Sequence, residues 1–298
     1  MLIQELLTNQ ENMSAAEKAI ADYFLQEKEN IRRKGVRRIA AKIFVAPSSI
    51  IRFCQKIGFD GLQSFKDEYI EELRYTSHHF EKTDPNIPFT ADNSETEVAG
   101  RIAGLYQETV LDTLSLLDSQ ILQEAVSILD KPTIYIITLS AQRGIAKAFE
   151  EKMGRIGRRV IIHNQTHRIL FEIEHSRPED CAFLFLSYTG ESSHCIVYAE
   201  KALAAGHHCA AITSYGINRL SSLIPCTIRV SSREKLISNL GNYSFALSAL
   251  YVLDVIYSLI FRLDYDRNSE LKIQSSKQDE KPLFPSSGRH SGNPMLNE

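Results

Sequence analysis

The sequence predicts two folded units of different class: an all-helical N-terminal domain of helix-turn-helix type, then an α/β domain built on a five-stranded parallel sheet. Three observations carry this. Up to about residue 75, apolar side chains recur at spacings of three and four. From residue 131, short and uniformly apolar runs alternate with helical patterns. The length, 298 residues, is about two domains' worth of chain. A hydrophobic fraction of 43% and a charged fraction of 24% are ordinary for globular proteins and exclude a wholly disordered or collagen-like chain.

In order along the chain, Ser14-Ala-Ala-Glu17 is a capping box: a hydroxyl accepts backbone N–H groups and a Glu three residues on reaches back. It opens a helix over about 14–28 through Ile20, Tyr23, Phe24 and Leu25. After Gly35, the residues Val36, Ile39, Ala40 and Ile43 mark a short amphipathic helix. Phe44-Val45-Ala46 is a tight connection. Pro47, whose missing N–H is harmless at a first helical position, starts a second short helix with Ile50, Phe53, Cys54 and Ile57 toward the core and Gly58 as its stop. Two short helices joined by about three residues form the helix-turn-helix pattern, and a helix over about Leu62 to Arg74 closes the domain. The expected boundaries are 1–75 for this domain, 76–95 for a linker containing Pro85 and Pro88, 96–265 for the α/β domain, and 266–298 for a polar tail of disordered composition.

A second capping box, Ser94 to Glu97, opens helices that run to about Leu117 and then from Ser119 to Asp130. Strands follow at 134–137, 160–162, 182–186, 209–212 and 226–230, each too apolar throughout for a strand with one face in water. Burial on both faces implies a parallel sheet, with helices expected at 144–156, 192–206 and 241–262. The stretches Val98 to Leu117 and Phe245 to Phe261 carry more large apolar side chains than one sheet face needs, which predicts a homodimer or higher homo-oligomer.

Charge is unevenly distributed. The chain as a whole has 34 basic and 37 acidic residues, yet between Ile31 and Gly58 there are eight basic residues and no acidic one. No secretion signal opens the sequence and no unbroken apolar run reaches membrane-spanning length, so a cytoplasmic protein without a membrane partner is expected. Five scattered cysteines without a C-x-x-C pair argue against a disulfide framework or a zinc site and for buried thiols. His163 and His167 are four apart, but they follow a strand and are read as loop residues, so no metal and no cofactor are expected.

In a helix-turn-helix the second helix presents its N-terminal residues to base edges while basic side chains around it meet phosphates. This places Pro47, Ser48, Ser49 and Arg52 at the bases, and Arg37, Arg38, Lys42 and Lys56 on the backbone of double-stranded, two-fold symmetric operator DNA. In an open parallel sheet, ligands bind beyond the carboxyl ends of the strands. The loop Ser187-Tyr-Thr-Gly-Glu-Ser-Ser193 stands there, with hydroxyls around one glycine ahead of a helix, a composition suited to phosphate. The loops Thr138 to Arg143 and Thr213 to Gly216 add hydroxyls at the same edge.

The string Pro-Ser-Ser-Ile-Ile-Arg-Phe-Cys-Gln-Lys-Ile-Gly-Phe-Asp-Gly-Leu-Gln-Ser-Phe-Lys (47–66) resembles the N-terminal domain of the RpiR/MurR family of bacterial transcriptional regulators. Arg155-Ile-Gly157, the Ser187 to Ser192 loop and Ile212-Thr-Ser214 resemble that family's sugar isomerase (SIS) domain over residues 119–262. The resemblance implies a regulator controlled by a phosphosugar effector, with Ser140, Arg143, Ser187, Thr189 and Ser192 as the phosphosugar-binding residues and no catalytic residue. The departures are specific. Thr138, Ser140 and Gln142 stand where the family has Gly-x-Gly-x-Ser, Ala46 replaces a serine before the second helix, and His194 takes a position that is often acidic. Two alternatives stay open: a phosphosugar isomerase, for which Glu191 and His194 are the nearest acid and base, and a SIS domain that serves only oligomerisation.

Overall fold

The computed structural model describes residues 3–78, 84–138, 142–163, 166–231, 233–235 and 237–279. The N-terminal domain consists of α1 (Ile3–Thr8), α2 (Ala15–Glu27), a 3-10 turn (Lys28–Arg33), α3 (Val36–Lys42), α4 (Pro47–Lys56) and α5 (Leu62–His78). The Ser14 box forms as predicted: Ser14 N–H donates to Glu17 Oε2 at 2.8 Å and Glu17 N–H to Ser14 Oγ at 3.4 Å. The first N–H groups of α1 are satisfied from a distance, because the buried Glu72 carboxylate of α5 accepts from Ile3 at 2.5 Å and Gln4 at 2.8 Å. The core is aromatic, with Phe24 stacked on Phe65 at 4.5 Å and Phe65 on Tyr69 at 5.3 Å, and with Ile20, Ile39, Ile50 and Phe53 filling in around them.

The second domain alternates as expected: α6 (Glu95–Leu116), α7 (Ser119–Leu129), β1 (Thr133–Thr138), α8 (Arg143–Arg155), β2 (Arg159–His163), α9 (Thr166–His175), β3 (Cys181–Ser187), α10 (Ser193–Ala204), β4 (His208–Ser214), α11 (Arg219–Leu223), β5 (Thr227–Val230), α12 (Tyr243–Leu263) and α13 (Tyr265–Asp279). The five strands are all parallel in the order β2-β1-β3-β4-β5, with Ile136 beside Leu184 and Leu184 beside Ala210 at the centre. Every residue of β3 is buried, which is why the sequence shows no alternation there. Side chains of α7, α8 and α12 cover one face and those of α9, α10 and α11 the other, giving three layers. The five cysteines are free and buried.

Three expectations need correction. The segment from residue 266 is not a disordered tail as far as Asp279: α13 is helical, with Asn268 buried and donating to Phe261 O at 3.0 Å, and Arg155 donating to Ser276 Oγ at 3.3 Å. A polar composition does not separate coil from a helix that docks by a few contacts; residues 280–298 lie outside the described residues. Second, α5 continues past Arg74 to His78, into the expected linker. Asn86 of that linker is itself anchored, accepting from Lys235 N–H at 2.6 Å and donating to Arg233 O at 3.1 Å. Third, the apolar face of α12 is not free for a second subunit. Phe245, Val252, Leu253, Ile256 and Ile260 are buried on the sheet, and Ser244 and Ser248 pair with Thr109 and Thr113 of α6 at 3.2 and 2.8 Å. Although α12 has the length and hydropathy to cross a membrane, it is packed here as the core helix of a three-layer domain.

The two domains share a seam. Ile217, in the connection after β4, packs against the hydrophobic core of the N-terminal domain. Beside it, burial and the carboxylate of Glu71 push the Tyr215 hydroxyl up to about 12, with Glu72 and Glu68 of the same helix adding to the effect. Glu68 is itself raised by burial, in opposition to the Arg229 guanidinium across the seam.

Candidate functional site

Two places gather the residues singled out by the sequence. The first is the surface of α3 and α4. Arg37, Arg38, Lys42, Pro47, Ser48, Arg52 and Lys56 are all exposed and Ser49 is half-buried, so this set lies on an accessible face. The fold explains the partition: with Ile50, Phe53 and Cys54 turned inward, Ser48, Ile51, Arg52 and Gln55 form the opposite stripe of α4. Ile51 and Gln55 were missed by the sequence reading; the complement of the core stripe was the signal that would have found them. Ala46 makes no side-chain cap, and Ser48 does not replace it but accepts from Arg52 Nη2 at 3.4 Å. The N-terminus of α4 therefore has no side-chain cap; Pro47 brings no N–H, Ser49 N–H donates to Ala46 O at 2.9 Å, and the positive dipole end stands beside exposed Pro47 and Ser48. Lys56 differs from the other cations because it pairs with Glu17 at 2.8 Å. That hydrogen bond, with those from the Ser14 backbone and hydroxyl, holds the Glu17 carboxyl down at about 2.

The second place is the carboxyl edge of the sheet. The chain leaves β1 toward β2 on one side and returns to β3 on the other, so the strand order reverses between β1 and β3. The crevice outside that reversal is where open α/β sheets bind ligands, and among the described residues it lies between the ends of β1 and β3, at Thr138 and at the loop after Ser187. Gly190 makes the second loop possible. Its φ is +64°, and a Cβ there would stand 2.0 Å from Asn218 Oδ1. Around it the loops after β3 and β4 are tied into one unit: Leu220 N–H donates to Gly190 O at 3.0 Å, Ser214 N–H to Tyr188 O at 3.1 Å, and Arg219 N–H to Glu191 Oε1 at 2.9 Å. Asn218 caps α11, donating its own amide to Thr213 Oγ1 at 3.4 Å and accepting from Ser221 N–H at 2.9 Å.

Ser187 is the buried last residue of β3, and Thr189 lies in the loop beyond it, with Thr189 Oγ1 accepting from Glu191 N–H at 3.2 Å. Ser192 serves as the N-cap of α10, its hydroxyl 3.5 Å from Cys195 N–H. Arg143 is the first residue of α8, half-buried and without an ion pair among the described residues. Ser140 lies outside the described residues. Thr138, which ends β1, is 4% exposed, and its hydroxyl has no hydrogen-bond partner among the described residues; the same holds for the Ser231 hydroxyl just beyond β5. Buried hydroxyls without partners are rare in native folds and mark an edge that has polar groups still to satisfy. Glu191, the nearest acid for an isomerase, is occupied with the N–H of Arg219, and His194 is exposed on α10. His167 lies on α9 rather than in a loop, because Ile169 and Ile173 start a buried helical stripe directly after β2. Among the described residues no three His, Cys, Asp or Glu side chains gather as a metal site would need.

Known proteins match the chain over both places. The family profile "Helix-turn-helix domain, rpiR family" matches residues 1–75, and that of the SIS domain matches residues 127–258. The chain belongs to the RpiR family of transcriptional regulators. Relatives of this RpiR-family regulator include the HTH-type transcriptional regulator YbbH of Bacillus subtilis, 24% identical over 81% of this chain and 84% of that one. Another is YfhH of Escherichia coli, 23% identical over 91% and 94% respectively. Among solved structures, the Vibrio vulnificus NanR protein complexed with ManNAc-6P superposes with a TM-score of 0.60 at 18% identity, covering 93% of this chain and 97% of that one. The sugar isomerase domain of an RpiR transcription factor from Sphaerobacter thermophilus gives 0.53 at 11%, over 60% and 98%. At these identities the structural likeness speaks for the fold: helix-turn-helix first, SIS-type sheet second.

Proposed function

We propose that this regulator binds a two-fold symmetric operator through Arg37, Arg38, Lys42, Pro47, Ser48, Ser49, Arg52 and Lys56. Its DNA affinity is set by a phosphorylated sugar or sugar derivative held at the β1/β3 crevice by Ser187, Thr189 and Ser192, with Ser140 and Arg143 as further contacts. The observation that carries the effector reading is the coincidence at one crevice of the strand-order reversal, the Gly190 turn leading into α10, and a buried Thr138 hydroxyl without a partner among the described residues. That NanR, a structural neighbour of the whole chain, was solved with ManNAc-6P supports the same ligand class. A homodimer is part of the reading, since one helix-turn-helix reads only a half-site. With α12 covered, the surface available for it is on α6, where Tyr106, Leu111 and Leu114 are exposed to 41, 60 and 51%.

The test is a mobility-shift series with hexose and amino-sugar phosphates. One of them should change operator affinity by about 5- to 150-fold, and by linkage its own affinity should change by the same factor when DNA is present. If turnover of a sugar phosphate is seen instead, without an effect on DNA, the isomerase reading stands. If neither is seen, the SIS domain serves only assembly.

A further inference from the structure

Phe44 has an unusual place in the helix-turn-helix. It lies in the turn between α3 and α4, its φ is +56°, and its side chain is 95% exposed. Both features are unfavourable for a phenylalanine. The left-handed region suits glycine, which is common in this turn, and a residue with a Cβ loses about 1 kcal/mol or more there. A fully exposed ring gains nothing from the hydrophobic effect in the free chain. Its neighbours Ile43 and Val45 pack on the domain core and Phe44 does not. Ile51 is a second case. Ile50 is fully buried, while Ile51, on the outer stripe of α4 between Ser48 and Arg52, is 39% exposed.

The surroundings indicate what these two side chains would meet. Arg37, Arg38, Lys42 and Arg52 are exposed on the same two helices, and the segment from Ile31 to Gly58 holds no acid. An apolar pair set in a basic stretch without any acid favours a partner whose negative charge is fixed and dense. It suits a DNA major groove, where phosphates lie on both flanks and the apolar feature of the floor is the thymine 5-methyl group. We infer that Phe44 and Ile51 are specificity-determining residues that read thymine methyl groups at the operator. The apolar pair complements what Ser48 and Arg52 read by hydrogen bonding. This inference rests on the DNA-binding reading of the N-terminal domain.

The experiment uses the full-length chain and a duplex that it selects from a random pool. Each thymine of that duplex is replaced in turn by deoxyuridine, which removes the methyl group and leaves the Watson–Crick edge unchanged. One or two positions per half-site should lose about three- to tenfold in affinity, the factor that corresponds to exposing a methyl-sized group. Phe44→Gly and Ile51→Ser should bind the thymine and deoxyuridine duplexes equally and keep the salt dependence of the parent chain. The thermal midpoint of Phe44→Gly should not fall, because glycine relieves the left-handed backbone. Ile51→Ser tests the same point at a position without backbone strain. The inference is overturned if no deoxyuridine position matters, if both variants keep the discrimination, or if Phe44→Gly changes the sedimentation coefficient, which would make the ring a contact between copies. If the parent chain selects no duplex and binds none at low salt, the DNA-binding reading falls as well; normal binding with silent deoxyuridines removes this inference alone.

Discussion

On the helix-turn-helix, Arg37 and Arg38 are exposed and make no ion pair among the described residues; at the sheet edge most polar groups are committed to one another. Ser192 caps α10, Thr189 accepts from the Glu191 N–H, Glu191 takes the Arg219 N–H, and Asn218 caps α11 while reaching Thr213. The first surface offers its charge without rearrangement, so phosphate contacts there add affinity in proportion to the cations presented. The second has to exchange internal hydrogen bonds for a ligand's, and a neutral exchange is worth only about 1 kcal/mol per bond. A ligand that binds there gains chiefly where groups such as Thr138 have no partner among the described residues, and it alters the bonds it replaces. On the proposed function, the free surface would supply binding and the self-satisfied edge the change of shape.

The largest effect should come from breaking the committed edge. Gly190→Ala places a side chain on a left-handed residue and against Asn218, and is expected to lower stability by about 2–4 kcal/mol in urea unfolding and to abolish the sugar phosphate response. Operator affinity of the folded fraction should stay within about twofold, because the basic face is not touched. An unchanged unfolding curve would mean that the loops after β3 and β4 are not held as one unit.

Next in size is removal of free charge. Arg37→Ala with Arg38→Ala should reduce the slope of log affinity against log salt by about 2, and weaken all duplexes alike by roughly a hundredfold at low salt. A loss confined to one sequence would move these residues from phosphate to base contacts. Ser187→Ala with Thr189→Ala removes two hydroxyls and should weaken effector binding by about ten- to hundredfold in calorimetric titration, with DNA affinity unchanged. A full response in this double variant would make the loop purely structural.

The smallest effect sharpens the comparison on the basic face itself, at Lys56, a cation that already has a partner. Glu17 titrates at about 2 in the fold instead of at its ordinary 4.5, so its contribution is fully present above about pH 4.5 and is lost as pH falls toward 2. Glu17→Gln should flatten the acid side of the stability profile over that window. The change should be small, because the Lys56 side of the pair is more than half exposed and solvent screens it. The same variant should add up to about one unit to the salt slope of DNA binding by releasing Lys56.

Much of this organisation was legible in the sequence, for reasons that differ by region. Ser14 and Ser94 announce their helices because a capping box is a local device whose residues lie three apart. The strands were legible because burial on both faces leaves no polar position to interrupt the run. What escaped depends on partners far away in sequence. The polar helix α13 gives no compositional sign of docking, α11 is a short helix set by the Asn218 cap, and α1 takes its cap from Glu72, some seventy residues on. At the site, residue types were readable and commitments were not. Ser192 was read as a ligand contact, and the fold shows that its hydroxyl also holds the first turn of α10. Ile51 and Gln55 look like any helix residues until the inward stripe of Ile50, Phe53 and Cys54 is fixed.

The seam at Ile217 bears on whether the two halves are interchangeable parts. A side chain from the sheet domain packs against the hydrophobic core of the helical domain, and its backbone continues directly into the Asn218 cap that locks Gly190. Grafting the helix-turn-helix onto another sensor would leave that patch of core uncovered, and grafting this sensor beneath another helix-turn-helix would leave Ile217 without a seat. A working chimaera therefore has to carry Tyr215 to Asn218 together with α5, as one joint cut from both domains.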